Sequence, residues 1–237
     1  MEKRLMLYEG KAKKLFATDM PDQCIINFKD DATAFNGLKK GFVSGKGVIN
    51  NKISALLMSE LEKKGIPTHF IKEISKREML VKKVDIFPLE IMVRNVAASS
   101  LSKRLGLPEG AKMKKPVVEF CYKKDELGDP MINEYHILAM DFASKEELDL
   151  ITEYSLKINE ILKEYFLKIK IKLIDIKLEF GKTLDGTIVL ADEISPDTCR
   201  LWDSITNEKL DRDRFRRDLG GVEEAYNEIF DRLLENF

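Results

Sequence analysis

Histidine is nearly missing from this 237-residue chain: His69 and His136, far apart in sequence, are the two it has. That scarcity excludes a histidine-rich metal site and disfavours a Ser-His-Asp triad. Cysteine is also sparse. Cys24, Cys121 and Cys199 are odd in number and form no CxxC pair, so neither a disulfide framework nor a zinc site is expected. No excess of one charge exists either. Forty basic residues stand against 41 acidic ones, a net charge of −1, which argues against a general nucleic-acid binder. No apolar run approaches the length that crosses a bilayer. The opening Met1-Glu-Lys-Arg passes directly into a strand-like segment, without a signal-peptide pattern. The expectation is a soluble cytoplasmic protein that engages neither nucleic acid nor membrane.

What is present is charge in local order. Charged residues make up 34% of the chain and hydrophobic ones 44%, and the length suits one large domain or two small ones sharing a cleft. Strand-like runs at 5–9, 14–17 and 24–28 precede a helix at 48–64 with one apolar stripe, stopped by Gly65 and Pro67. A strand pair at 68–74 and 79–84, a strand at 86–96, a short helix at 97–105 and a strand at 117–122 follow. Ser144 and Glu147 form a capping box for the longest helix, which runs to about 167. A helix at 222–234 comes last. Strands and helices are interspersed without a strict βαβ rhythm, which predicts an α+β fold.

The stretch LIDIKLEFG, 173–181, reads as a strand. Asp175, Lys177 and Glu179 share one face, and Ile174, Ile176, Leu178 and Phe180 the other. Asp185-Gly186 is a favoured two-residue hairpin turn into a second β-rich run at 187–191. That loop would place Glu179 opposite Asp192. Two carboxylates facing across a ladder repel, unless a divalent cation sits between them. Mg²⁺ favours one or two carboxylates plus phosphate oxygens, so the hairpin is a candidate metal–phosphate site.

Other stretches handle anions. LYEGKAKKLF, 7–16, sets Gly10 and three lysines between two strands, where backbone N–H groups and ammonium charge suit phosphate oxygens; a solvated basic hairpin is the alternative. In MLVKKV, 79–84, Lys82 and Lys83 point to opposite faces, so one of them can enter a cleft. FPLEIMVRNVAASS, 87–100, carries Glu90 and Arg94 on one strand face and ends in Ser99 and Ser100 at a helix start, a plausible phosphate site. DEISPDTCRLWD, 192–203, delivers Arg200 from a turn beside the acids. DRDRFRRDLGG, 211–221, reads as a solvated helical turn with a ligand-binding arginine as the lesser alternative.

These motifs together resemble the phosphoribosylaminoimidazole-succinocarboxamide synthase (SAICAR synthetase) family, over essentially the whole chain from YEGKAK to LGGVEEAY. PLEIMVRNVAASS and LIDIKLEFG look like its two signatures, and the second is highly specific. The resemblance implies a fold related to ATP-grasp ligases, with an N-terminal antiparallel β domain (1–84) and a larger α/β domain (85–237) enclosing an ATP cleft. It implies that ATP activates the carboxylate of carboxyaminoimidazole ribonucleotide (CAIR) and that the amine of L-aspartate displaces phosphate, with Mg²⁺ required and a homodimer as the assembly. Residue by residue, Gly10, Lys11, Ala12 and Lys13 match the nucleotide-phosphate loop, and Lys82 the phosphate-reaching lysine. Glu179 and Asp192 match the metal-binding acids. Arg94, Ser100 and Arg200 match ribonucleotide-binding positions, with Ser99 and Arg216 assigned to the substrate side. Asp175 and Lys177 match residues lining the substrate site and are counted, with the two acids, as catalytic. Lys123 and Asp129 match a motif on the nucleotide or aspartate side. The family usually has Gly-Ser where this chain has Ser99-Ser100, and an acid is common where Asn36 stands. Two rival readings share parts of this pattern: a small-molecule kinase, and a non-catalytic nucleotide-binding regulator.

Overall fold

The structure is a computed structural model that describes residues 2–34 and 37–236, so Asn36 lies outside the described residues. Strands β1 (Lys3–Glu9), β2 (Lys13–Thr18) and β3 (Gln23–Phe28) form a meander, followed by the ribbon β4 (Asp31–Ala34) and β5 (Lys39–Phe42). Helix α1 (Lys46–Lys63) then leads to β6 (Phe70–Ser75) and β7 (Glu78–Lys82), which complete an antiparallel sheet in the order β1-β2-β3-β7-β6. A larger sheet begins with β8 (Val84–Ile86) and β9 (Leu89–Val96), continues after α2 (Ser99–Leu105) with β10 (Lys112–Tyr122) and β11 (Met131–Ile132), and is interrupted by α3 (Glu134–Ala139) and α4 (Lys145–Lys168). It resumes with β12 (Ile171–Thr183), β13 (Ile188–Ala191) and β14 (Cys199–Asp203), and α5 (Asp213–Arg216) and α6 (Val222–Leu234) follow. The architecture is α+β with antiparallel sheets, as the interspersed elements predict.

Local chemistry sets most boundaries. The Ser144 hydroxyl accepts from the Glu147 N–H at 3.2 Å, and the Glu147 carboxylate accepts from the Ser144 N–H at 2.9 Å, the reciprocal cap expected for α4. Leu148, Ile151, Ile158 and Leu162 of α4 pack on Ile91, Val93, Ile176 and Leu178 of the large sheet. Each such side chain contributes roughly 1.5–3 kcal/mol on full burial. The strand expected at 86–96 is two strands, because Pro88 has no N–H to give a ladder. The apolar stripe of α1 joins the same core: Ile49, Ile53, Leu57 and Leu61 are all buried in it. Among the described residues, no helix is long and apolar enough to cross a membrane.

Strand β12 is the spine. Its first half pairs with β9 and β14, its second half with β8 and β13. The register against β14 slips between Leu173 and Asp175, so Ile174 is an extra residue, a bulge. This corrects the simple alternation: Leu173, Ile176 and Leu178 share the main core, whereas Ile174 packs with Ala98 and Trp202. The hairpin register is corrected too. Glu179 pairs with Ala191, not Asp192. The cause is a loop one residue longer than a two-residue turn: the Thr183 N–H donates to the Thr187 carbonyl at 3.0 Å, and Gly186 sits at φ +86.

Candidate active site

A cavity of about 410 Å³ lies between the two sheets and collects most of the residues singled out in the sequence. Its walls carry Gly10, Lys11, Ala12 and Lys13 from the β1–β2 turn, Arg94 from β9, and Ser100 from α2. Asp175, Lys177 and Glu179 from β12 face the same space, with Lys123, Asp129, Asp192, Arg200 and Arg216. Lys82 and Ser99 do not line it. Lys82 lines an adjoining lobe of about 210 Å³ whose walls include Leu15, Ile26 and Val81, and its ammonium donates to the Thr68 carbonyl at 2.9 Å. Ser99 sits at φ +49, the left-handed region that favours glycine, which gives a physical reason for glycine at that position.

One end of the cavity is built on arginine. Asp175 pairs with Arg94 on β9 and with Arg200 on β14, so three neighbouring strands place these side chains in one row. The Asp175 carboxylate accepts from Arg94 Nη1 at 3.0 Å and from Arg200 Nη1 at 2.8 and 3.0 Å. Arg94 also donates to Glu119 at 2.8 Å and to the Ser100 hydroxyl at 3.1 Å, and Arg200 donates to Asp213 at 3.0 Å. Arg216 shares Asp213 at 2.8 Å. Asp175 is 1% exposed, so its role here is to hold two guanidinium groups rather than to reach a ligand freely. Burial opposes the charge on Arg200, but Asp175 and Asp213 outweigh it and hold the group above its ordinary value.

The other end is built on lysine and acid. Lys177 bonds Glu179, reaches Asp192 Oδ2 at 3.1 Å and Glu90 Oε1 at 3.3 Å. Lys13 bonds Asp192 and lies 2.9 Å from Glu193 Oε1; Lys123 bonds Glu179. Burial disfavours the charge on Lys177, yet Asp192, Glu179 and Glu90 outweigh it and hold the group well above its ordinary range. Burial likewise disfavours the Asp192 carboxylate, and Lys13, Lys177 and Lys123 together hold it far below the usual carboxylate range. Glu90, by contrast, is shifted upward, first by burial and then by Glu179 and Asp129 against the pull of Lys177. Asp192 stands one residue beyond the paired strand at φ +59, which is how its carboxylate meets Lys177 despite the register found for β13. Lys11 spans the cavity mouth to Asp125 at 2.6 Å.

Among the described residues, no group of three or more histidine, cysteine, aspartate or glutamate side chains is arranged to hold a metal ion. Glu179 and Asp192 offer two carboxylates joined through ammonium groups. That donor set suits a cation whose remaining ligands come from phosphate oxygens and water. Sequence reasoning missed Glu193, Asp197 and Arg212. Asp197 is bonded by Lys46 at 2.5 Å, Asn50 at 2.9 Å and the Tyr226 hydroxyl at 2.7 Å, and lines the same cavity. The only early signal for these three was their position inside the acidic turn 192–198 and the arginine-rich 211–217.

A family model for SAICAR synthetase matches residues 6–233. The chain belongs to that family. It is 66% identical to a phosphoribosylaminoimidazole-succinocarboxamide synthase of Caldanaerobacter subterraneus subsp. tengcongensis, over 98% of this chain and 99% of that protein. Among solved structures, the synthase from Ehrlichia chaffeensis superposes with a TM-score of 0.95 at 51% identity, covering 97% of this chain and 98% of the other. A SAICAR synthetase in complex with ADP superposes with a TM-score of 0.93 at 54% identity, covering 95% and 96%. The fold is therefore the SAICAR synthase-like one that the motifs imply.

Proposed function

We propose that this chain is the ligase that joins L-aspartate to the carboxylate of CAIR, converting ATP to ADP and phosphate in purine biosynthesis. The observation that carries the reading is one cavity with two sets of cations each held in place by acids, an arginine row on Asp175 and a lysine cluster on Glu179 and Asp192. Two anionic substrates and a triphosphate need cationic donors fixed in position, and a uniformly acidic pocket would repel them.

In this reading residues 1–84 supply the nucleotide half, and 85–237 complete the site. The apolar lobe takes the base of ATP, and the turn at Gly10 to Lys13 lies along the phosphates. Arg94, Ser100, Arg200 and Arg216 hold the ribonucleotide. Glu179 and Asp192 would hold Mg²⁺, which when bound would supply neutralisation of phosphate charge. Lys177 stays charged between the acids and faces the carboxylates that must be brought together. Phosphorylation turns a poor electrophile into one with a leaving group, and positioning with charge neutralisation meets the main demand of that transfer. The assembly is a cytoplasmic homodimer.

Phosphate release from ATP, measured with CAIR alone and with CAIR plus L-aspartate, tests the assignment. Steady turnover is expected only with both. Equal ADP production without aspartate would instead make the protein a small-molecule kinase.

A further inference from the structure

His69 lines the wall of the apolar lobe beside the charged cluster, with Asp192, Lys13 and Lys82 as its charged neighbours. It is 3% exposed, and its Nε2 is buried with no hydrogen-bond partner among the described residues. Its main chain is pinned on both sides. The His69 N–H donates to the Leu190 carbonyl at 2.8 Å, and the His69 carbonyl accepts from the Lys82 N–H at 2.7 Å. An unpaired buried nitrogen is costly in a finished structure, and a ligand that supplies the partner removes the cost.

We propose that His69 reads the nucleotide base, its Nε2 hydrogen-bonding the edge of the purine, and so sets the preference of this site among purine triphosphates. The proposal rests on the reading that the lobe takes the base of ATP. A neutral imidazole in one tautomer presents at Nε2 either a donor or an acceptor, not both. Adenine and guanine carry opposite groups at the six position, an amine and a carbonyl, so a fixed nitrogen favours one over the other.

The test is steady-state kinetics of His69→Leu and His69→Gln with ATP and with GTP. His69→Leu should raise the KM for ATP about 2- to 10-fold, the range for one hydrogen bond, and shrink the ATP-over-GTP preference by a similar factor. The KM values for CAIR and aspartate should stay put, and His69→Gln should recover part of the loss. A folded His69→Leu enzyme with unchanged KM for ATP and unchanged preference overturns the proposal. Should that variant not fold, the wild-type protein answers by ¹⁵N-histidine NMR, since the chain has only two histidines. Bound ADP must move the His69 ring nitrogens; bound ADP that leaves them unmoved overturns the assignment. Leu15→Trp separates the two readings by filling the lobe. If it weakens ATP while His69→Leu does not, only the role of His69 falls. If it leaves ATP untouched, the base does not enter the lobe, and both fall.

Discussion

The two ends of the cavity both present cations held by acids, but the chain builds them in different ways. At the arginine end, three adjacent strands fix Arg94, Asp175 and Arg200 in register, and each guanidinium is oriented by a second carboxylate, Glu119 or Asp213. At the lysine end, Lys13, Lys123 and Lys177 reach their acids from separate elements on flexible stems. Planar forks held from both sides present a fixed shape, suited to recognising one anion. Ammonium groups can exchange partners, which suits anionic groups that bind and leave. One end is a mould, the other a switchboard.

The comparison breaks most visibly at Asp192. Asp192→Asn removes the charge that Lys13 and Lys177 share, and turnover of the folded variant should fall by about 100-fold or more, with a lower melting temperature because the ion pairs to three lysines are lost. Full activity at ordinary Mg²⁺ concentration would remove Asp192 from the metal-binding pair. At the fixed end, Arg200→Ala should raise the KM for CAIR by about 10- to 150-fold, the worth of a charge-assisted hydrogen bond, and leave that for ATP nearly unchanged. A loss falling on ATP would reverse the two ends. Arg200→Lys should recover little of it, because the fork geometry and not the charge alone is used there.

A sharper probe is Lys177→Arg. If Lys177 only separates acids, any cation serves, and most activity survives. If it contacts one oxygen of a substrate, the larger planar group does not fit, and kcat should drop by roughly ten-fold or more at unchanged stability. Near-normal turnover would make Lys177 a spacer between Glu90, Glu179 and Asp192.

The smallest expected effect lies beneath the arginine end. Burial, and then the Asp213 carboxylate, push the Asp211 carboxyl up to about 7. An unfolded aspartate titrates near 4, about the ordinary value. The folded protein therefore keeps a proton that the unfolded chain releases in that window, and stability falls as pH rises from about 4 to about 7. Asp211→Asn should flatten this slope by a few degrees in melting temperature between pH 5 and pH 8. A wild-type slope of the opposite sign there would show that the carboxylate is favoured by the Leu201 and Asp213 N–H groups that Asp211 accepts from.

Much of this was legible in the chain before folding. Periodicity located α4 and α6, and the Ser144 cap was readable because capping is a local transaction between neighbours. The row of Asp175, Lys177 and Glu179 was readable because strand alternation puts such residues on one face. Its partners were less accessible. That Asp175 would serve two arginines depends on which strands flank β12, a long-range pairing that spacing does not encode. That Lys13 and Lys123 reach the acids while Lys82 bonds the Thr68 carbonyl has the same origin: all three are lysines near strand ends, and only the tertiary arrangement chooses among them. The one-residue error in the hairpin came from Asp185-Gly186, which serves a two-residue and a three-residue loop equally well.

The bulge at Ile174 has an outcome for how this strand tolerates shortening. Because Ile174 is supernumerary to the ladder, both it and Asp175 emerge on the side away from the main core, and Ile174 plugs the hollow between Ala98 and Trp202 at the foot of α2. Excising Ile174 would close the pleat into regular alternation and leave Asp175, Lys177 and Glu179 facing the cavity, at the cost of that plug. Excising Ile176 instead would turn Lys177 and Glu179 into the core while Asp175 stayed outside, splitting the site between two faces. Of two deletions only two positions apart, the first should give a foldable enzyme with a loosened α2, visible as weaker CAIR binding, and the second an insoluble chain.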